Sequence, residues 1–344
     1  MPHHERAPGE RPCAAIAARR EALRGHLAML VFVLLISGSF TFGGIIAPLI
    51  DPAALNAVRF VFATLVMAVI IIATIGWQPN LPYVFRRPTG LWRFLILGGL
   101  LGAFFVLMFE ALRLTDPVSA SAVFTLMPLI SAGFGYLLLR QISSPLVLAS
   151  LVLAGAGAIW VIFRGDVEAM LRFDVGPGEM LFFIGCTCFA AYTPLVPKLN
   201  RGEPVILFTF GTLAGGTLLV GAYGWPAIVS TDWTGLPPVV YAGIFYLAVF
   251  TTAGTFFLVQ FAAMRLPSGK VMAYVYLLPA FVIIQEGLLG HGWAEPRVLP
   301  GIAATIVALL ILLRRDEPTP VTAFRLDPSR TRIPPDSKLR RDPP

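Results

Sequence analysis

Ten apolar stretches, each long enough to cross a bilayer, occupy most of the chain, and no other feature constrains its fold as much. They cover residues 26–48, 54–76, 91–112, 117–139, 145–163, 178–197, 204–223, 238–263, 268–289 and 297–313. About 20 residues of helix span the hydrocarbon, and lipid leaves backbone amides no partner but the helix itself. The fold class expected is therefore all-α, a polytopic membrane protein of ten transmembrane helices. The eighth stretch is overlong, which calls for tilt or an extension into water. The domains read as a cytoplasmic disordered tail at 1–26, a first five-helix unit at 27–163, a connecting loop at 164–177, a second unit at 178–313 and a second disordered tail at 314–344.

Composition agrees and excludes other classes. Only 13% of the residues are charged, against about 25% in soluble domains, so no separate soluble catalytic domain fits. The net charge of +7 does not mark a nucleic-acid binder. Its basic residues lie in short loops and both tails rather than on one face of an element. Cys13 sits in the polar N-terminal tail, and Cys186 and Cys188 lie two apart in an apolar stretch, where they read as small core residues. Residues 1–25 hold five Arg and three Glu but no apolar core, so a cleavable signal peptide is not expected there.

Loop charge sets the expected orientation. With the N-terminus in the cytoplasm and residues at span edges counted with the adjoining loop, 21 of the 26 Lys and Arg fall inside, 4 outside (Arg113, Arg164, Arg172, Arg297), and Arg59 alone falls well within a span. Both termini should then be cytoplasmic. Trp77, Trp92, Trp160, Trp225 and Trp293 fall at span ends and Trp233 in a loop, as an interfacial belt requires.

The chain also repeats itself at an offset of about 151 residues. Pro117, Pro128 and Pro145 are matched by Ser268, Pro279 and Pro296 at the same spacings. Glu110 to Leu114 resembles Ala262 to Leu266, and Asp51-Pro52 resembles Glu203-Pro204. Five spans per repeat is an odd number, so the second copy enters the membrane from the opposite side. Inverted repeats of this kind recur among secondary transporters.

This ordered set of motifs resembles the ten-helix EamA-type branch of the drug/metabolite transporter superfamily, over roughly residues 27 to 313. The match lies in Pro52-x6-Arg59-Phe60, in Glu110-Ala111-Leu112 followed by a small-residue helix reaching Pro128, and in Gly155-x-Gly157. In the second half it lies in Ala262-Ala263-Met264, Leu266-Pro267-Ser268 and Leu277-Leu278-Pro279. The resemblance implies export of metabolites, amino acids or drugs from the bacterial cytoplasmic (inner) membrane. One departure is clear. Such proteins often carry an acid after the helix with the repeat proline, whereas here the runs read Leu137-Leu138-Leu139-Arg140-Gln141 and Leu288-Leu289-Gly290-His291.

Charges inside spans are costly and mark functional candidates. Arg59 should lie about 9 Å inside the outer end of span two at 1.5 Å per residue. Glu286 and Glu110 fall near the outer ends of spans nine and three, Glu110 with Arg113 at i+3. Arg59 and Glu286 lack a local basic or acidic partner, so they are expected to face a cavity between the repeats, within reach of each other or of a shared solute. Pro128 and Pro279 are helix-break and hinge candidates. Near them, Ser39, Thr41, Phe42, Tyr192, Thr193, Tyr274 and Tyr276 offer an aromatic and hydroxyl lining suited to a small organic solute. Gly98-x3-Gly102 and Gly211-x3-Gly215 permit close helix contact, within the chain or in a homodimer. No catalytic or metal motif stands out, and no cofactor or metal is expected. The reading is a secondary transporter, an exporter of a small organic solute by alternating access in the lipid bilayer. The alternatives are a passive channel or facilitator on the same fold, and an intramembrane scaffold or enzyme.

Overall fold

A computed structural model describes residues 10–75, 90–140, 144–172, 174–263, 265–266 and 268–314. The described residues are all helical apart from turns and loops. The helices are α1 (Glu10–Ile46), α2 (Pro52–Ile75), α3 (Trp92–Ala111), α4 (Pro117–Thr125), α5 (Met127–Leu139), α6 (Pro145–Ile162), α7 (Val167–Arg172), α8 (Pro177–Leu199), α9 (Val205–Ser230), α10 (Pro238–Ala248), α11 (Thr255–Ala263), α12 (Ser268–Ala273), α13 (Leu278–Leu288) and α14 (Leu299–Leu313). Among the described residues, nine segments are long and apolar enough to cross a membrane. The tenth, the overlong eighth stretch, is interrupted by a π-helical turn at Val249–Gly254 that joins α10 to α11.

Packing between the halves repeats under exchange of the two five-span units. α2 lies on its counterpart α9, and α6 on α14. α3 packs on α8 as α10 and α11 pack on α1, and α4 and α5 pack on α8 as α13 packs on α1. The breaks repeat as well. The fourth span is interrupted between α4 and α5, and the ninth by a 3-10 turn at Tyr274–Leu277. Pro128 and Pro279 follow each break in the first turn of the next helix and bring no amide to it. The backbone tightens to i→i−3 bonds there: the Leu126 amide donates to the Val123 carbonyl at 3.1 Å, and the Leu278 amide to that of Val275.

Close crossings rest on glycine. A Cβ on Gly98 of α3 would lie 2.2 Å from the Gly216 nitrogen of α9, and one on Gly215 would lie 2.4 Å from the Phe94 carbonyl oxygen. Gly157 of α6 and Gly301 of α14 each face the other's carbonyl oxygen in the same way. The spaced glycines expected to serve helix contact thus do so within the chain.

Two expectations at the ends change. Residues 10–26, expected as a disordered tail, are helical and prolong α1 beyond the apolar stretch. The segment is rich in Ala, Arg and Glu, all strong helix formers, and Glu21 ties it to Arg265 at 2.8 Å. The 164–177 loop contains the short helix α7. The tail at 315–344, the basic pair Arg86 and Arg87, and Trp77 lie outside the described residues.

Arg93 reads from sequence as an inside charge at the edge of the third stretch but is buried. Its guanidinium donates to the Gly90 carbonyl at 2.9 Å, the Leu199 carbonyl at 2.7 Å and Glu203 at 2.6 Å, which pins the start of α3 to the α8–α9 turn. Burial pushes the Glu203 carboxyl up, but hydrogen bonds from Arg93 and from the Arg201 amide outweigh it and hold it below the usual carboxylate range. A depressed carboxylate stabilises the fold above its unfolded pKa, and that share is lost as pH falls through the lowered value. The unfolding midpoint should therefore fall on acidification with a contribution that Glu203→Gln abolishes; identical acid profiles for the two proteins would rule this out. Arg93→Met should cost about 3 kcal/mol, at the low end for breaking a buried pair because Glu203 retains some exposure, read as a lower unfolding midpoint in detergent.

Candidate functional site

Where the halves meet they leave a cavity of about 390 Å³. It draws on both repeats: α1, α2, α3, α4 and α5 from the first, and α8, α9, the π turn, α11, α12 and the 3-10 turn from the second. Two of its wall residues, Phe124 and Val275, are the equivalent positions of the two broken spans, 151 apart. The broken spans therefore supply the wall, though Pro128 and Pro279 themselves do not line it.

A plug of packed aromatic rings lies at one end of the cavity. Phe40, Phe104, Phe124 and Phe182 are all buried. Ring centroids lie 5.9 Å apart for Phe40–Phe124 and Phe40–Phe182, and 5.8 Å apart for Phe104–Phe124 and Phe104–Phe182. Each residue lies about 8–10 Å from its helix end on the side where α2 begins, at 1.5 Å per residue. From this plug the cavity runs toward the opposite end, where α1 begins. Met29, Met67, Thr209 and Val271 line it in that direction. The packed rings thus gather on one side, and the cavity extends from them toward the other.

Arg59 sits at the depth of the plug and is 2% exposed. Its Nη2 donates to Thr251 Oγ1 at 3.3 Å, and its guanidinium carbon lies 3.9 Å from the centre of the Phe105 ring. Its Nη1 is buried and has no hydrogen-bond partner among the described residues. No described residue lining the cavity is acidic. Thr251 belongs to the π turn, where irregular backbone is tolerated because it lines a cavity. The hydroxyls of Thr251 and Thr252 both donate to the Leu247 carbonyl, at 2.8 and 2.9 Å, and Thr255 donates to the Thr251 carbonyl at 2.7 Å. With their hydrogens committed to the backbone, these threonines present acceptor oxygens to the space around Arg59.

The structure divides the sequence-derived candidates. Arg59, Ser39, Tyr192 and Thr193 line the cavity. The expected meeting of Arg59 with Glu286 does not occur. Glu286 turns to His291, whose Nδ1 lies 2.9 Å from its carboxylate, because the loop after α13 folds the imidazole back over the helix end. This partner is five residues away, beyond the helical i+3 and i+4 positions at which a local ion pair is sought. Glu110 keeps to Arg113 at 3.4 Å, away from the cavity wall. Tyr274 bonds His26 at 2.7 Å, Tyr276 is packed into a core cluster with α6 and α14, and Phe42 packs on Tyr246. Thr41 is buried without a hydroxyl partner and off the cavity wall. None of these joins Arg59.

Sequence reasoning missed Thr251, Thr252 and Thr255 and the aromatic plug. Two signals were present: a span too long for one crossing, and three threonines within five residues of its middle. The π turn accounts for part of the extra length.

Comparison with known proteins agrees with this architecture. The family model described as EamA-like transporter family matches the chain twice, over residues 23–163 and 176–314. YyaM, an uncharacterized transporter of Bacillus subtilis, is 23% identical over 290 residues, covering 83% of this chain and 92% of its own. An uncharacterized transporter of Archaeoglobus fulgidus is 26% identical over 262 residues, covering 75% of this chain and 86% of its own. A solved crystal structure shares the fold with a TM-score of 0.59 at 18% identity, over 85% of this chain and 97% of that one. With one family model matching each half in turn, this chain belongs to the EamA-like transporter family of the drug/metabolite transporter superfamily.

Proposed function

We propose that the protein is a secondary exporter that moves a small organic solute by alternating access between its two halves. The observation that carries this reading is the cavity itself: it lies between the repeats, holds one buried charge, and has packed aromatic rings at one end. With both termini in the cytoplasm, as the loop charges favour, the plug faces outward and the cavity faces the cytoplasm. This is the state in which an exporter of the bacterial cytoplasmic membrane would load. Exchange of the two halves' conformations would open the plug and close the opposite end, with the broken spans at Pro128 and Pro279 flexing.

A passive channel on the same fold would need a continuous path, and the four packed rings interrupt it. Phe124→Ala should loosen that seal and raise uncoupled solute leak by about two- to tenfold, since each ring contributes packing that a methyl cannot replace. Leak equal to wild type would remove the plug from the mechanism. The primary test is transport in proteoliposomes loaded with pooled metabolites, with and without a proton gradient. Accumulation that collapses with the gradient supports a coupled carrier. Flux that only equilibrates solute supports the facilitator.

A further inference from the structure

We infer that the cavity's solute carries a single negative charge on a carboxylate that docks on Arg59, with an apolar body lying among the aromatic and methionine side chains. The inference rests on the transporter reading and names the class of solute it would move. Arg59 is 2% exposed, lines the cavity, and has a buried Nη1 without a partner. Its one hydrogen bond, to Thr251, brings no charge. The three acids within spans do not compensate it: Glu286 bonds His291, Glu110 bonds Arg113, and Glu179 bonds Thr115. A guanidinium buried beside hydrocarbon needs a counter-charge or water, and its planar fork matches a carboxylate in two parallel bonds.

The same observations narrow the solute. An amino acid zwitterion would bring an ammonium into a wall with no described acid to receive it. A phosphate monoester would bring a second charge with no second cation among the described lining residues. An inorganic anion would leave a space of about 390 Å³ mostly unfilled, within the range typical of organic-ligand pockets. Apolar neighbours such as Met29, Phe104 and Phe189 suit an aryl or alkyl chain.

The test is equilibrium binding to the purified full-length protein by calorimetry. The probes are aryl- and alkyl-carboxylates of about six to twelve carbons, sized to the cavity. Each is run against its amide, with phenylalanine, sodium phosphate and sodium chloride alongside. At least one acid should bind about tenfold or more tighter than its amide, the margin expected of a charge-assisted pair, and tighter than phenylalanine. Arg59→Gln should erase that difference, and Arg59→Lys should keep part of it, which separates lost charge from lost fold. Acids and amides that bind alike across the series would overturn the inference. So would preference for phenylalanine, or equal binding by phosphate or chloride alone. Binding of the acid without movement in liposomes would remove the transporter reading and leave this one. Transport of amines without acid binding would do the reverse.

Discussion

Arg59→Gln is expected to lower solute flux in proteoliposomes at least about tenfold while raising, not lowering, the protein's unfolding midpoint. A charged side chain within the hydrocarbon costs up to about 2.5–3.5 kcal/mol on insertion scales, the full figure applying at the centre. Here the cost is offset only in part, by Thr251 and by the Phe105 face, a contact worth about 1–2 kcal/mol when desolvated. Removing the charge should therefore leave the fold about 1 kcal/mol more stable, and the uncompensated guanidinium Nη1 is where that difference lies. A site held against stability in this way is kept for what it binds. The measurement is flux normalised to inserted protein, together with thermal unfolding in detergent. Wild-type flux would remove Arg59 from the mechanism, and a large drop in midpoint would make it a structural tie. Glu286→Gln should affect flux far less, because its partner is His291 at the helix end and not the cavity.

The second large effect is expected at the glycine crossings. In Gly98→Val and Gly157→Val, a Cβ would meet backbone atoms of the facing helix at 2.2 and 2.5 Å. Backbone cannot rotate aside, so α3 must move off α9, and α6 off α14. The cost should exceed the about 1–3 kcal/mol typical of overpacking. Loss of most folded monomer on size exclusion is the expected result. Gly133→Ala and Gly221→Ala are the controls, since a Cβ there meets nothing within 4 Å. They should be neutral or stabilising by up to about 1 kcal/mol. If Gly98→Val expressed and unfolded like wild type, the crossing would not be the close contact described above.

The sequence by itself determined the all-helical class, the span positions and the two-repeat plan. Bilayer thickness fixes span length, lipid excludes unpaired backbone, and a duplication preserves the spacing of Pro117, Pro128 and Pro145 in Ser268, Pro279 and Pro296. It also singled out Arg59, because charge inside a span is costly wherever the helix points. Only the tertiary structure decided which side chains share the cavity. Helix rotation and crossing place Tyr192 on its wall and Tyr276 in the core, although both are tyrosines in apolar stretches. The partner of Glu286 came from a loop that turns back by five residues, outside any helical spacing. Thr251, the partner of Arg59, lies in a π turn, which the length of the span hinted at but which no local pattern sets against Arg59. Length and polarity are local properties that a one-dimensional pattern carries. Convergence of side chains from different helices depends on packing between segments about 190 residues apart, as with Arg59 and Thr251, and no local pattern encodes that.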